Sequence, residues 1–305
     1  MILGDFLSPI VQQPRNACII AVTAACLYPL ALLPSLDALA PVSFVGVIGS
    51  FVTCAVMFYQ WKFSSSYRLP SGYFLASLAR DKQPTFGVRG TSSNPLSALV
   101  LVSMAATSYL CHFSAPEFLA SLKGCLKDYR AVTFMGFAGV GIINVAIMCA
   151  GYLTFGGNSS GLILNSYAQK DVLAGVCRLL MALSVVGSFP FQLNGARNAL
   201  YNTFFSKKPS KRLDHAVTVA LLCGVTIPAL SLRNAGIVVS INGALMGSAI
   251  AYIFPALLML KQKKHRFFGT FERIGNGLVL AWGIMAAIVG VSVSLLSVYS
   301  PQVLL

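Results

Sequence analysis

Acidic residues are the scarcest chemistry in this chain: 8 of its 305 residues are Asp or Glu, and only 3 are His. Acid–base catalysis needs carboxylates or imidazoles gathered at one place. Neither an HExxH metal motif nor a pair of carboxylates within one apolar run is present, so an enzyme is not expected. Charged residues of both signs together make up 10%, against about 25% in an ordinary soluble domain, too few to clothe a water-facing surface. The 8 cysteines include no CxxC pair. Cys18, Cys26, Cys54, Cys111, Cys149, Cys177 and Cys223 lie inside apolar runs, as small buried hydrophobes do, so neither a metal site nor a disulfide framework is expected. The opening stretch MILGDFLSPIVQQP has no basic leader and carries Asp5 inside its apolar part, so a cleavable signal is not expected either.

What fills the chain instead is hydrocarbon. Hydrophobic residues reach 56% and the mean hydropathy is +0.76. The apolar runs are about twenty residues long, the length of a helical span, rather than the alternating ten-residue segments of a membrane barrel. The fold class is therefore all-α and integral to the membrane, where helices satisfy their own backbone. Apolar runs and breakers predict eight full spans, at about 17–33, 41–60, 97–120, 131–154, 172–198, 215–232, 236–260 and 276–299. Residues 1–13 read as the second half of another span, and no soluble domain fits anywhere between 1 and 305.

The net charge of +14 sits in short loops rather than on one basic face, which argues against a nucleic-acid partner. The loops at 121–130, 203–214 and 261–275 are rich in Lys and Arg, and they alternate with loops at 155–171 and 233–235 that hold one basic residue each. The basic set is expected on the cytosolic side. The triplet Asn158-Ser159-Ser160, a glycosylation acceptor pattern, then falls on the opposite side, as does the long 61–96 connection, which reads as an irregular loop.

Three polar clusters interrupt the spans. In ATSYLCHFSAPEFLASLK (106–123), His112, Pro116 and Glu117 arrive where a lipid-facing helix would continue. A break near Leu110–Pro116 frees backbone groups, which membrane proteins tolerate only where the chain is buried or lines a cavity. His112 is ionisable near neutral pH and is the candidate for proton coupling; a kink with a core histidine is the alternative. In ALSVVGSFPFQLNGARNAL (182–200), Gly187, Ser188 and Pro190 interrupt the run, and Ser184 and Ser188 share a helix face. Two hydroxyls at that spacing suit a cation, or they bond carbonyls on their own helix. Arg197 is expected to snorkel to the interface. In VSINGALMGSAIAYIFP (239–255), Gly243, Gly247 and Ala251 form a small-residue stripe for close helix packing, and Asn242 is the one amide of its span, a site candidate or an interhelical bond.

Four blocks carry a resemblance beyond these patterns: LAPVSFVGVIGSFVTCAVMF (39–58), LVLVSMAATSYLCHFSAPEFLASLK (99–123), GYLTFGGNSSGLILNSYAQKD (151–171) and CRLLMALSVVGSFPFQLNGARNAL (177–200). In order and spacing they resemble consecutive segments of the amino acid/auxin permease family, and the last two are the most specific. The resemblance covers nearly the whole chain. It implies a LeuT-like fold of two inverted five-helix repeats, with the second repeat complete over 97–260 and the first incomplete, lacking its first two spans and most of the third. CHFSAPEF then matches the broken sixth span, so Ser108, Cys111, His112, Phe113 and Ser114 are the expected contacts of an amino acid, with Asn242 kept beside them as the candidate its own span offers. Ser188, with Ser184 one turn before it, matches the eighth-span position of a coupling cation. The function implied is secondary active transport of amino acids coupled to H+ or Na+ across the lipid bilayer, with no cofactor. The alternative is a non-transporting membrane subunit or regulatory fragment, completed by a partner chain if translation starts at Met1. The plasma membrane and a vacuolar or lysosomal membrane fit equally.

Overall fold

The computed structural model describes residues 1–32, 40–68, 72–78, 82–86, 95–110, 119, 122, 125–204, 210–232, 234–261 and 270–299. Among them the regular structure is helical, with one isolated bridge between Thr85 and Gly156. The long helices are α1 (Ile2–Val11), α2 (Arg15–Ala31), α3 (Ala40–Lys62), α4 (Pro95–Ser108), α5 (Leu126–Phe155), α6 (Val172–Phe204), α7 (Lys211–Ser231), α8 (Ala235–Lys261) and α9 (Thr270–Tyr299). Six are long and apolar enough to cross a membrane, or seven if α1 and α2, bent by 112° at their junction, make one span. The chain is thus an all-helical, multi-pass membrane protein.

The bend has a local cause. Gln12 adopts a left-handed conformation at φ 57° and ends α1. Pro14, which lacks a donor and favours extended backbone before it, precedes α2. The helix at the predicted 97–120 span is shorter than a crossing: α4 has 14 residues, about 21 Å at 1.5 Å per residue, against a hydrocarbon core of about 30 Å. The predicted break at Leu110–Pro116 lies mostly outside the described residues. Pro190 does not interrupt its span, since α6 runs unbroken for 33 residues with Pro190 buried inside it. Membrane helices accommodate a proline where neighbours satisfy the freed carbonyl. π-helical turns occur at Thr23–Leu27 within α2 and at Gly243–Gly247 and Ala249–Ile253 within α8.

The chain forms two compact units, Met1–Thr85 with Ile143–Ala235, and Phe86–Ile142 with Gly236–Leu305, so the boundary falls inside α5. In the first unit α3 packs on α6 through two glycines. A Cβ on Gly46 would collide with the Ser184 hydroxyl, and one on Gly49 would lie 3.1 Å from Leu180 Cβ. The described parts of the 61–96 connection are irregular but not loose: Tyr67, Leu75 and Leu78 are buried. Tyr67 meets Phe155 and Tyr167 edge-on, with ring centroids 5.5 and 5.2 Å apart, a geometry aromatic quadrupoles favour. Arg15 joins the α1–α2 turn to the far end of α7. Its Nε donates to Asp5 at 2.6 Å, and its Nη2 donates to the carbonyls of Ala229 and Leu232 at 3.2 and 2.9 Å. A cation there satisfies orphan carbonyls and complements the negative helix end.

In the second unit α4, α8 and α9 meet through small residues. A Cβ on Gly243 would overlap the Ser103 carbonyl, and one on Gly290 would sit 2.8 Å from Ala244 Cβ. Gly243 and Gly247 of the predicted stripe both face α4, meeting Ser103 and Ala106. Hydroxyls tie the close contacts: Thr107 Oγ1 donates to the Val239 carbonyl at 2.8 Å, and Ser240 and Ser294 share a buried bond of 2.6 Å.

Candidate functional site

The end of α4 opens onto a cavity of about 870 Å³ within the second unit. Ser103, Ala106, Tyr109 and Leu110 line it from α4 and its end, Phe137 from α5, and the π-helical turns of α8 and the Trp282–Gly290 stretch of α9 close its other walls. The Tyr109 ring stacks on Phe137 with centroids 5.7 Å apart. Among the described residues, none of those lining it is Asp, Glu, Lys, Arg or His. The polar side-chain groups of its described lining are the hydroxyls of Ser103, Tyr109, Ser248 and Tyr252 and the indole N–H of Trp282. The volume lies in the usual range for small-molecule sites, as does an apolar wall with few polar groups. α4 ends here: the Tyr109 and Leu110 amides bond back to the carbonyls of Ala106 and Thr107 at 3.3 and 3.2 Å. A helix C-terminus carries partial negative charge, which suits an ammonium group.

The predicted site residues divide into three groups. Cys111, His112, Phe113 and Ser114 lie outside the described residues. Ser108 is the last residue of α4, and the next two residues line the cavity. Asn242 is exposed on α8, immediately before the π-helical turn whose Gly243 lines the cavity. The two serines of α6 belong to the first unit. Ser184 faces Gly46 of α3, and the exposed Ser188 donates to the Val185 carbonyl on its own helix at 3.2 Å.

Sequence reasoning missed two polar centres. Asp171, 3% exposed, caps α6 by accepting from the amides of Leu173 and Ala174 at 3.0 and 3.2 Å. Its other oxygen accepts from Gln60 Nε2 at 2.5 Å and Tyr67 OH at 2.7 Å. One carboxylate thus holds α3, the 61–86 segment and the start of α6 together. Burial first, then the bond to Asp171, pushes the Tyr67 phenol well above its ordinary value. Arg178, two turns further on and 2% exposed, gathers the carbonyls of Leu164, Tyr167 and Ala168 with its two terminal nitrogens. An Asp just before an apolar run, with an Arg seven residues later inside it, was the available signal: the first is a helix cap, the second an ionisable group that needs partners in a membrane. The other missed centre corrects the expectation for Arg197. It does not snorkel free but donates to Asp214 Oδ2 and Thr218 Oγ1 of α7, both at 3.2 Å, and to Asn194 Oδ1 one turn back.

Comparison with known proteins follows this geometry. A rat protein named "Putative sodium-coupled neutral amino acid transporter 11" is 24% identical over 273 residues, which covers 86% of this chain and 57% of the rat protein. The zebrafish protein of the same name is 25% identical over 195 residues, 63% of this chain and 43% of its own length. Vacuolar amino acid transporter 2 of Saccharomyces cerevisiae is 23% identical over 299 residues, 90% of this chain and 56% of the yeast protein. The chain spans about half the length of the curated relatives it matches. No solved structure matches it significantly. The model of the family described as "Transmembrane amino acid transporter protein" matches residues 1–296, and the chain therefore belongs to that family of transporters.

Proposed function

We propose that this chain performs secondary active transport of amino acids, coupled to Na+ or H+, with the cavity at the end of α4 as part of the substrate path. The observation that carries the reading is a cavity of about 870 Å³ at a helix C-terminus whose described lining residues are uncharged, in a chain whose family transports amino acids. A neutral side chain fits the lining because it asks no buried charge of the wall. The substrate ammonium is assigned to the negative end of α4, and Ser108 is the first backbone group it meets. Names of relatives support both a neutral substrate and a sodium ion, the rat protein's through the words it carries. Cys111, His112, Phe113 and Ser114 continue the contact region, Asn242 flanks it from α8, and His112 is the proposed proton-coupling group. Ser184 and Ser188 remain the proposed cation ligands of α6, each needing to exchange its present contact for the ion.

The test is uptake of labelled alanine, leucine and lysine into proteoliposomes holding the purified chain, under an imposed sodium gradient or an imposed pH gradient. The reading expects saturable uptake of alanine or leucine over lysine, driven by one of the two gradients. If the pH gradient drives it, His112→Ala removes the pH dependence. Uptake indistinguishable from empty liposomes under both gradients overturns the reading.

A further inference from the structure

A second cavity, polar and of about 450 Å³, lies in the first unit where the α1–α2 turn, Ser77, Leu78 and Lys82, and the loop before α6 come together. Its charged lining is unbalanced. Among the described residues, Arg15, Lys82 and Arg178 face it, and Asp5 is the one carboxylate in its wall. The Asp5 carboxylate is engaged by Arg15 Nε at 2.6 Å. Asp171, whose charge also acts on Arg178, already accepts four hydrogen bonds and is not among the residues lining the cavity. Lys82 donates to the Asn165 carbonyl at 3.1 Å, a single neutral acceptor for an ammonium with three protons. Arg178 is 2% exposed, and its Nε has no hydrogen-bond partner among the described residues. Its terminal nitrogens are satisfied by carbonyl dipoles, not by a dedicated counter-charge. A buried cation held this way carries a desolvation cost that a nearby anion offsets.

We propose that this cavity is a binding site for a small anion, held between Lys82, Arg15 and Arg178, with the amides of Asn165 and Gln169 in its wall as neutral donors. The cavity suits a halide or the carboxylate of a small solute. The two share the chemistry the site reads: one negative charge and acceptor lone pairs. Its place in the fold gives it a role, because the groups that would hold the anion also fasten the loop before α6 and the end of α7. An occupied site stiffens that end of the unit. The inference stands on the first unit alone and does not depend on the transport reading.

The experiment is equilibrium binding of radiolabelled chloride, and separately of labelled acetate, to the purified full chain in detergent, in a buffer free of other small anions. Saturable binding of about one anion per chain is expected. Removing one cation with Lys82→Gln should weaken binding at least about five-fold, while the charge-conserving Arg15→Lys changes it much less. Asn165→Asp, which places a carboxylate in the wall, should weaken it as much as Lys82→Gln and serves if that variant does not fold. Chloride displaced by acetate identifies a site that takes either source, and acetate binding without chloride identifies a solute carboxylate; both support the site. The absence of saturable binding for both anions, or binding untouched by Lys82→Gln and Asn165→Asp, overturns it.

Discussion

Replacing Asp171 with Ala should be among the most damaging single changes outside the cavity. The carboxylate is 3% exposed and accepts four hydrogen bonds, two from backbone amides of α6 and two from Gln60 and Tyr67. Losing a helix N-cap costs about 1 kcal/mol. Stranding the Gln60 and Tyr67 donors costs about 1–3 kcal/mol each, since both residues are buried and water does not replace the acceptor without rearrangement. Bonds that share one acceptor are not additive, so a total of about 3–5 kcal/mol is expected. At about 2 °C per kcal/mol for a chain of this size, the melting temperature in detergent should fall by about 6–10 °C. The sharper readout is the cycle with Tyr67→Phe. Each change alone removes the 2.7 Å bond, so the double variant should be less destabilised than the sum of the two by at least about 1 kcal/mol. A melting temperature within 1–2 °C of the parent for Asp171→Ala, or strict additivity in the cycle, would refute the reasoning.

Other perturbations follow from the same contacts. Gly243→Ala sets a methyl against the Ser103 carbonyl and should cost about 1–3 kcal/mol, whereas Gly136→Ala, with nothing within 4 Å, should be neutral or slightly stabilising; melting of the two variants side by side checks both signs. Ala106→Phe puts a ring into the α4 cavity beside Gly247 and should reduce amino acid uptake at least about ten-fold, read per amount of folded protein recovered on size exclusion. The Tyr67 phenol is held above its ordinary value, so its neutral form contributes in full below about pH 10 and loses ground as pH rises further. Melting followed from pH 8 to 11 should show that decline, and Tyr67→Phe should reduce it. Asp214→Asn removes the charge opposite Arg197 and should cost about 1 kcal/mol, less in high salt, measurable as a salt-dependent melting difference.

Hydropathy alone carried the architecture. Long apolar runs fall on α3, α5, α6, α7, α8 and α9, whose ends lie up to about six residues from the runs, because the bilayer sets composition over the span while helices extend beyond it. The small-residue stripe Gly243–Gly247 was legible for the same reason: close approach needs missing side chains, and missing side chains are visible in sequence. Pairings between distant residues were not. The Gly46–Ser184 contact joins positions 138 residues apart, and nothing local to either marks the other. Ser184 therefore read as a hydroxyl for a cation or for a carbonyl of its own helix, and its contact with Gly46 of α3 had no local signal. Arg197 read as a surface group because its partners Asp214 and Thr218 lie on the next helix, past a basic loop. Asp171 and Arg178 lie inside two of the resembling blocks, but their role depends on carbonyls and side chains from three segments, which no local pattern shows. The cavity itself is a property of packing, and only its small-residue walls have a sequence signature.

The central claim is that this chain carries amino acids, and counterflow tests it without assuming a coupling ion. Proteoliposomes holding the purified chain are loaded with unlabelled alanine and diluted into trace labelled alanine, with no ion gradient. The account predicts a transient rise of label above equilibrium, absent in empty liposomes and suppressed by Ala106→Phe. Label that only equilibrates at the leak rate, from chain that is monodisperse and inserted, would contradict it.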